Sequence, residues 1–202
     1  MSTAVSPLPP GRTAWARAVR SHPRLRSAAY FVLGQATWFA CVLSIAHGQP
    51  IWGALTVLVL TVLHLAWLPS PAREVRFLLA ATLMGGVWET LMLHTGQFTY
   101  AVAPSPAGIV PWWLLTLWLM LALQVQVLLD WLKGRWLLAA FFGAVGGALS
   151  FRGGAALGAV RFTDTATAMA LLAAGWLVLM PALLALAQRW NGLQPASSSD
   201  SA

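Results

Sequence analysis

The chain reads as an all-α, polytopic integral membrane bundle of six transmembrane helices, and three observations carry that reading. Hydrophobic residues make up 59% of the 202 positions and charged residues only 8%, whereas a water-soluble domain carries about 25% charge. Six apolar runs are each long enough to approach the roughly 20 residues that cross a bilayer core. The basic residues cluster at the ends of those runs instead of being spread along them. So little charge cannot cover a water-facing surface, which excludes soluble globular, disordered and coiled-coil classes.

The expected spans fall at 28–47, 50–68, 74–95, 111–131, 135–151 and 166–189. Lipid offers no hydrogen bonds to a backbone, so each must be helical, and none shows the alternation of a barrel strand. Residues 1–27 form a basic segment. Within it Trp15, Ala18, Val19 and His22 can share one face of a surface-lying helix, opposite Arg17, Arg20 and Arg24. Ser44-Ile45-Ala46 after that stretch mimics a signal-peptide cleavage site, but the apolar run is long for a signal core, contains Trp38 and Phe39, and leads into five more spans. Residues 190–202 read as a disordered polar tail.

Orientation follows from counting Lys and Arg by side. Arg12, Arg17, Arg20, Arg24, Arg26, Arg73, Arg76, Lys133, Arg135 and Arg189 fall on one side, and only Arg152 and Arg161 on the other. The positive-inside rule then makes both termini cytoplasmic; the inner (cytoplasmic) membrane is what the resemblance given below implies. The net charge of +7 is accounted for by this topology, so no nucleic-acid partner is expected. The single cysteine, Cys41, leaves no disulfide framework or multi-cysteine metal site.

Tryptophans divide by depth. Trp52, Trp67, Trp112, Trp113, Trp131, Trp136 and Trp190 sit at span ends as interfacial anchors. Trp38, Trp88, Trp118 and Trp176 lie deeper, where they pack between helices or line a ligand cavity.

Polar groups inside apolar runs are the candidate site. Glu89 lies in the outer half of the third span, behind a small-residue face of Ala81, Thr82, Gly85 and Gly86. Arg152, at matching depth on the fifth span, is its expected partner, either in a structural ion pair or around a proton-transfer or ligand-binding carboxylate. His64, Gln35 and Gln124 have comparable depths on spans two, one and four and can meet inside the bundle. Gln126 and Asp130 share a different face, with Asp130 beside Lys133. No His or carboxylate pair has zinc spacing, and no phosphate loop, nucleophile elbow or dinucleotide fingerprint appears. No metal or cofactor is therefore expected, and whether the chain is an enzyme stays open. Gly143-x-x-x-Gly147 on the fifth span is expected to pack within the bundle, with homodimerisation as the alternative. The uncharged connection 96–110 permits either a lid over the outer face or an interfacial loop.

Several strings together resemble the bacterial inner-membrane family called domain of unknown function 2878. They are Gly34-Gln35-Ala36-Thr37-Trp38-Phe39-Ala40-Cys41-Val42-Leu43, His64, Glu89, Pro111-Trp112-Trp113 leading to Leu117-Trp118, Gly146-Gly147-Ala148-Leu149, and the stretch from Gly153 to Ala159. The chain departs from the family pattern at Glu89, where Asp is usual, and at Gln124-Val125-Gln126, where Asn, His or Ser-like residues are. The resemblance implies companionship with lipid-modifying genes such as those of cyclopropane-synthase-like enzymes, and so favours membrane lipids as partners. The alternatives are a non-catalytic subunit bound to a membrane-protein partner and a proton-coupled small-solute transporter.

Overall fold

The computed structural model describes residues 22–102 and 108–194. The amphipathic reading of the first 21 residues and the expected disorder of Ser197–Ala202 fall outside these residues. Six helices form the bundle: α1 (Pro23–Ala46), α2 (Pro50–Trp67), α3 (Pro71–His94), α4 (Trp112–Leu128), α5 (Trp136–Ala156) and α6 (Thr165–Arg189). All except α4 are long and apolar enough to cross a membrane. Proline opens α1, α2 and α3 at the first turn, where its fixed φ suits the helix and its missing N–H has no intrahelical role. Asp164 caps α6 by accepting from the Thr167 N–H at 2.8 Å.

The 17-residue α4 is shorter than the span expected at 111–131, because the chain turns into a 3-10 segment at Asp130–Leu132. It is also the central helix. α1, α2, α3 and α6 all pack on it, and every residue from Ala122 to Val127 is buried. A helix shielded by its neighbours needs less length than one that meets lipid.

The helices alternate in direction, giving the bundle two ends. At the basic end the α2–α3 turn meets the chain after α6, with the Ser70 N–H donating to Gly192 O at 3.2 Å and the Ser70 hydroxyl to Gln194 O at 2.8 Å. Gly192 and Gln194 are thus hydrogen-bonded to this turn. At the opposite end two short strands, β1 (Phe98–Tyr100) and β2 (Val160–Phe162), pair antiparallel with Thr99 opposite Arg161. This pairing ties the α3–α4 and α5–α6 connections together. The part of the 96–110 connection up to Tyr100 is thus fixed as a strand.

Glycine lets tryptophan cross the bundle. A Cβ on Gly85 (α3) would overlap the Trp118 ring (α4), one on Gly147 (α5) the Trp176 ring (α6), and one on Gly175 (α6) the Trp88 ring (α3). Trp118 and Trp176 stack on each other, with centroids 5.1 Å apart and planes within 5°. Gly143 likewise accepts Met180 and the Trp176 backbone, so the Gly143/Gly147 pair packs within the chain. Trp67 and Trp113, expected as interfacial anchors, are instead buried at 2% and 3% exposure, because each faces a tyrosine inside the bundle.

Candidate functional site

Two carboxylates are buried in the bundle, one near each end. At the basic end Glu74 (α3) is fully enclosed. Its Oε1 lies 3.0 Å from His64 Nε2, and its Oε2 accepts the Gly192 N–H at 3.2 Å. His64 Nδ1 contacts the Tyr30 hydroxyl at 2.5 Å, and that hydroxyl accepts the Trp67 indole N–H at 2.9 Å. An indole can only donate, so the Tyr30 oxygen accepts from Trp67 and its own proton is free for His64 Nδ1. That leaves Nε2–H to donate to Glu74, so the chain of hydrogen bonds runs unbroken from Trp67 to Glu74. Arg26 lies over the Trp67 ring, 5.5 Å from its centroid. The assembly fastens α1, α2, α3 and the segment after α6, and its residues are not among those of the cavity described next.

The second carboxylate differs. Glu89, 1% exposed, sits about 8 Å inside the strand-bearing end of α3, counting 1.5 Å per residue from the helix end. Its Oε1 accepts the Trp118 indole N–H at 3.0 Å, and the Tyr100 hydroxyl lies within hydrogen-bonding reach of its carboxyl group. β1 brings Tyr100 beside it. Burial, then the adjacent Glu89 charge and a side-chain hydrogen bond with Glu89, hold the Tyr100 phenol well above its usual pKa.

Glu89 and Tyr100 line a cavity of about 520 Å³, which also takes in Trp113, Trp118 and Trp176. That volume is in the range of small-molecule sites. Its walls are α1 and α5, its floor is α4, and its strand-end closure comes from Tyr100 and Val160. α1 and α5 approach near the strand end, where Gly153 lies against the Trp38 ring and Gly158 against Ala46, but they do not pack along their length. Gln35 on α1 and Phe142, Gly146 and Ser150 on α5 are cavity-lining and exposed. The cavity therefore opens sideways between α1 and α5, toward the surface that a membrane would cover.

The expected site residues separate accordingly. Gln35, Gln124 and Glu89 all line this cavity, Gln124 being seated against Gly34, whose lack of a side chain admits it. His64 does not meet Gln35 or Gln124; it belongs to the Glu74 assembly. Arg152 does not pair with Glu89: its side chain is exposed, and among the described residues the salt bridges are His64–Glu74 and Lys133–Asp130. Arg152 lies four residues before the end of α5, on a face that leaves it exposed. Gln126 donates to the Ala187 and Trp190 carbonyls and accepts from Lys133, fastening α4 to the end of α6. Glu74 was missed, because between Arg73 and Arg76 it reads as one more interfacial charge. Its three-residue distance from Pro71, directly after the turn that follows His64, is the signal that was available. Among the described residues no three His, Cys, Asp or Glu side chains converge as a metal site would require.

The DUF2878 family model, described as a protein of unknown function, matches residues 27–182. The chain belongs to this family. The match covers most of the bundle and both buried carboxylates, so the cavity of this DUF2878 protein lies within the family's shared region. No curated protein and no solved structure matches the chain.

Proposed function

We propose that this DUF2878 protein holds a membrane lipid, or a lipid-like hydrophobic molecule, in the lateral cavity and presents it within the bilayer for handling or modification. The observation that carries the reading is the sideways opening between α1 and α5, combined with an interior that is aromatic and apolar except at its ends. A solute arriving from water would meet the docked segments at the basic end or the paired strands at the other, whereas a lipid enters along the membrane plane. The basic residues at the ends of the helices support an inner-membrane location with both termini cytoplasmic, the strand-bearing end facing outward.

Gly146 supplies the test. A Cβ there meets nothing within 4 Å, so Gly146→Phe would project into the cavity mouth without displacing the backbone. Native mass spectrometry of protein released from membranes should show one lipid-sized adduct per wild-type chain and its loss in Gly146→Phe, with unfolding unchanged. Equal adducts on both proteins would place bound lipid elsewhere and remove the reading. A deletion strain should also differ from its parent in extracted lipids.

A further inference from the structure

The cavity has two ends. Toward the strands, the Glu89 carboxyl is engaged by the Trp118 indole and the Tyr100 hydroxyl. At the deep end, Gln35 (α1) and Gln124 (α4) are brought to one level. Counting 1.5 Å per residue, Gln35 lies about 17 Å and Gln124 about 18 Å from the strand-bearing ends of their helices. A contact agrees with that count, since the Gln124 amide fills the space that a Cβ on Gly34, the neighbour of Gln35, would take. Gln35 also falls at the middle of the 24-residue α1, a helix long and apolar enough to cross a membrane. The two amides therefore stand at half-depth.

Both turn surface to the cavity. Gln35 is exposed, and Gln124, 9% exposed although it lies on the central helix, lines the same space. Among the described residues Gln35 makes no hydrogen bond, and Gln124 makes a long one, from Nε2 to Met120 O at 3.5 Å, while its Oε1 accepts none. A carboxamide offers two donors and two acceptor lone pairs. Halfway across a bilayer the hydrocarbon supplies no partner for them, and polar side chains at that depth serve a neighbouring helix, a cavity or a ligand.

Charge restricts what can reach them. The lining contains no Lys, Arg or His, so a phosphate or carboxylate drawn to half-depth would be buried without a countercharge. An ammonium there would stand about 10 Å along the axis from Glu89, beyond the reach of a pair. A phospholipid that keeps its headgroup at the membrane surface turns only methylenes to the amides. We infer that the occupant is a lipid with a small uncharged head, drawn in to half-depth, whose carbonyl or hydroxyl is hydrogen-bonded by Gln35 and Gln124 and whose chain lies toward the strands along Trp38 and Phe151. This rests on the lipid-holding reading above and narrows it to lipids without headgroup charge. Two sources share that chemistry, a diacylglycerol and an isoprenoid quinone. Gln35 and Gln124 are then specificity-determining contacts, and Gly34, which admits the Gln124 amide, is a positioning residue.

The experiment is competition on the intact, delipidated protein in detergent, read by native mass spectrometry. The probes are dioleoylglycerol and its charged counterpart dioleoylphosphatidylglycerol, and a polyisoprenoid quinone and its hydrocarbon counterpart squalene. One of the two uncharged-head lipids should be retained, which identifies the source. Its counterpart should bind about five- to tenfold more weakly, the scale of one lost hydrogen bond. Gln35→Met and Gln124→Met keep an unbranched side chain of similar length without the amide, and each should narrow that preference. The comparison of probes uses the wild-type chain, so it stands even where a variant folds poorly. Squalene held as well as the quinone, preference for the phosphatidyl lipid, or a preference that both Met variants leave unchanged would overturn the assignment and leave the cavity reading intact. So would a paired-chain mass that Gln35→Met abolishes, since the amide would then serve a second copy. Retention of no probe would instead defeat both.

Discussion

Glu74 and Glu89 lie on the same helix, both at most 1% exposed, and do opposite things. Glu74 has both oxygens satisfied, one by a histidine and one by a backbone N–H, and is not part of the cavity's lining. Glu89 has one oxygen held by an indole and a phenol beside it, and lines the cavity. What separates the two carboxylates is therefore not burial but surroundings. The Glu74 assembly ties four parts of the chain together, whereas Glu89 and its indole and phenol neighbours line the cavity.

The sharpest way to break this comparison is to substitute both glutamates. Glu74→Ala leaves the His64 N–H and the Gly192 N–H without acceptors and should cost about 2–5 kcal/mol, read as a fall in the denaturant midpoint of the protein in mixed micelles. Glu74→Gln should still cost about 1–3 kcal/mol, because both carboxylate oxygens accept and an amide nitrogen must face one of the two donors. Glu89→Gln keeps the acceptor for Trp118 and should leave the midpoint nearly unchanged. Comparable losses from the two Gln variants would show that Glu89 is as structural as Glu74.

Adjacent glycines sharpen it next. Gly147→Ala pushes a methyl into the Trp176 ring, and overpacking of this kind costs about 1–3 kcal/mol. Gly146→Ala meets open space, and replacing a mid-helix glycine by alanine should stabilise by roughly 0.5–1 kcal/mol. The sign of the difference between two neighbouring positions reports directly on which face of α5 is packed and which is open. If both variants destabilise alike, α1 and α5 are closed on each other.

The division between legible and illegible features has a physical basis. Apolar runs fixed the six helices to within a few residues, since lipid demands continuous helix and proline marks three of the starts. Glu89, Gln35 and Gln124 stood out because a polar group inside such a run is expensive. Partners were harder. Counting rise along a helix gives a side chain's height, and Arg152 does share the height of Glu89. The direction it points depends on how α5 packs against α6, which the run of small residues on α5 only partly reveals. The Glu74 assembly needed Tyr30, His64 and Gly192 to converge from sequence separations of up to 118 residues, and nothing local announces that. Nor did the three-residue strands, too short for alternation to register, announce the pairing that brings Tyr100 to Glu89.

The smallest expected effect is at the strand-bearing end, away from both carboxylates. Asp164 accepts from the Thr167 N–H through its side chain, and that hydrogen bond lowers its pKa. A carboxyl whose pKa is lower when folded contributes stability above its unfolded value, about 3.9, and loses it as pH falls through the folded value. Asp164→Asn, which retains a capping oxygen, should therefore remove a small acid-side dependence of stability while changing little at neutral pH. An unaltered acid profile would show that the cap contributes nothing to it.

The central claim is that a lipid lies between α1 and α5, and a photoreactive lipid alcohol with a diazirine on its chain tests it most directly. After reconstitution and illumination, peptide mapping should place adducts on the half-buried cavity residues Trp38 and Phe151, with loss of that labelling in Gly146→Phe. Labelling confined to the outward residues Leu137, Phe141 and Val145, and indifferent to Gly146→Phe, would show that lipid meets only the outside of the bundle and would contradict the account.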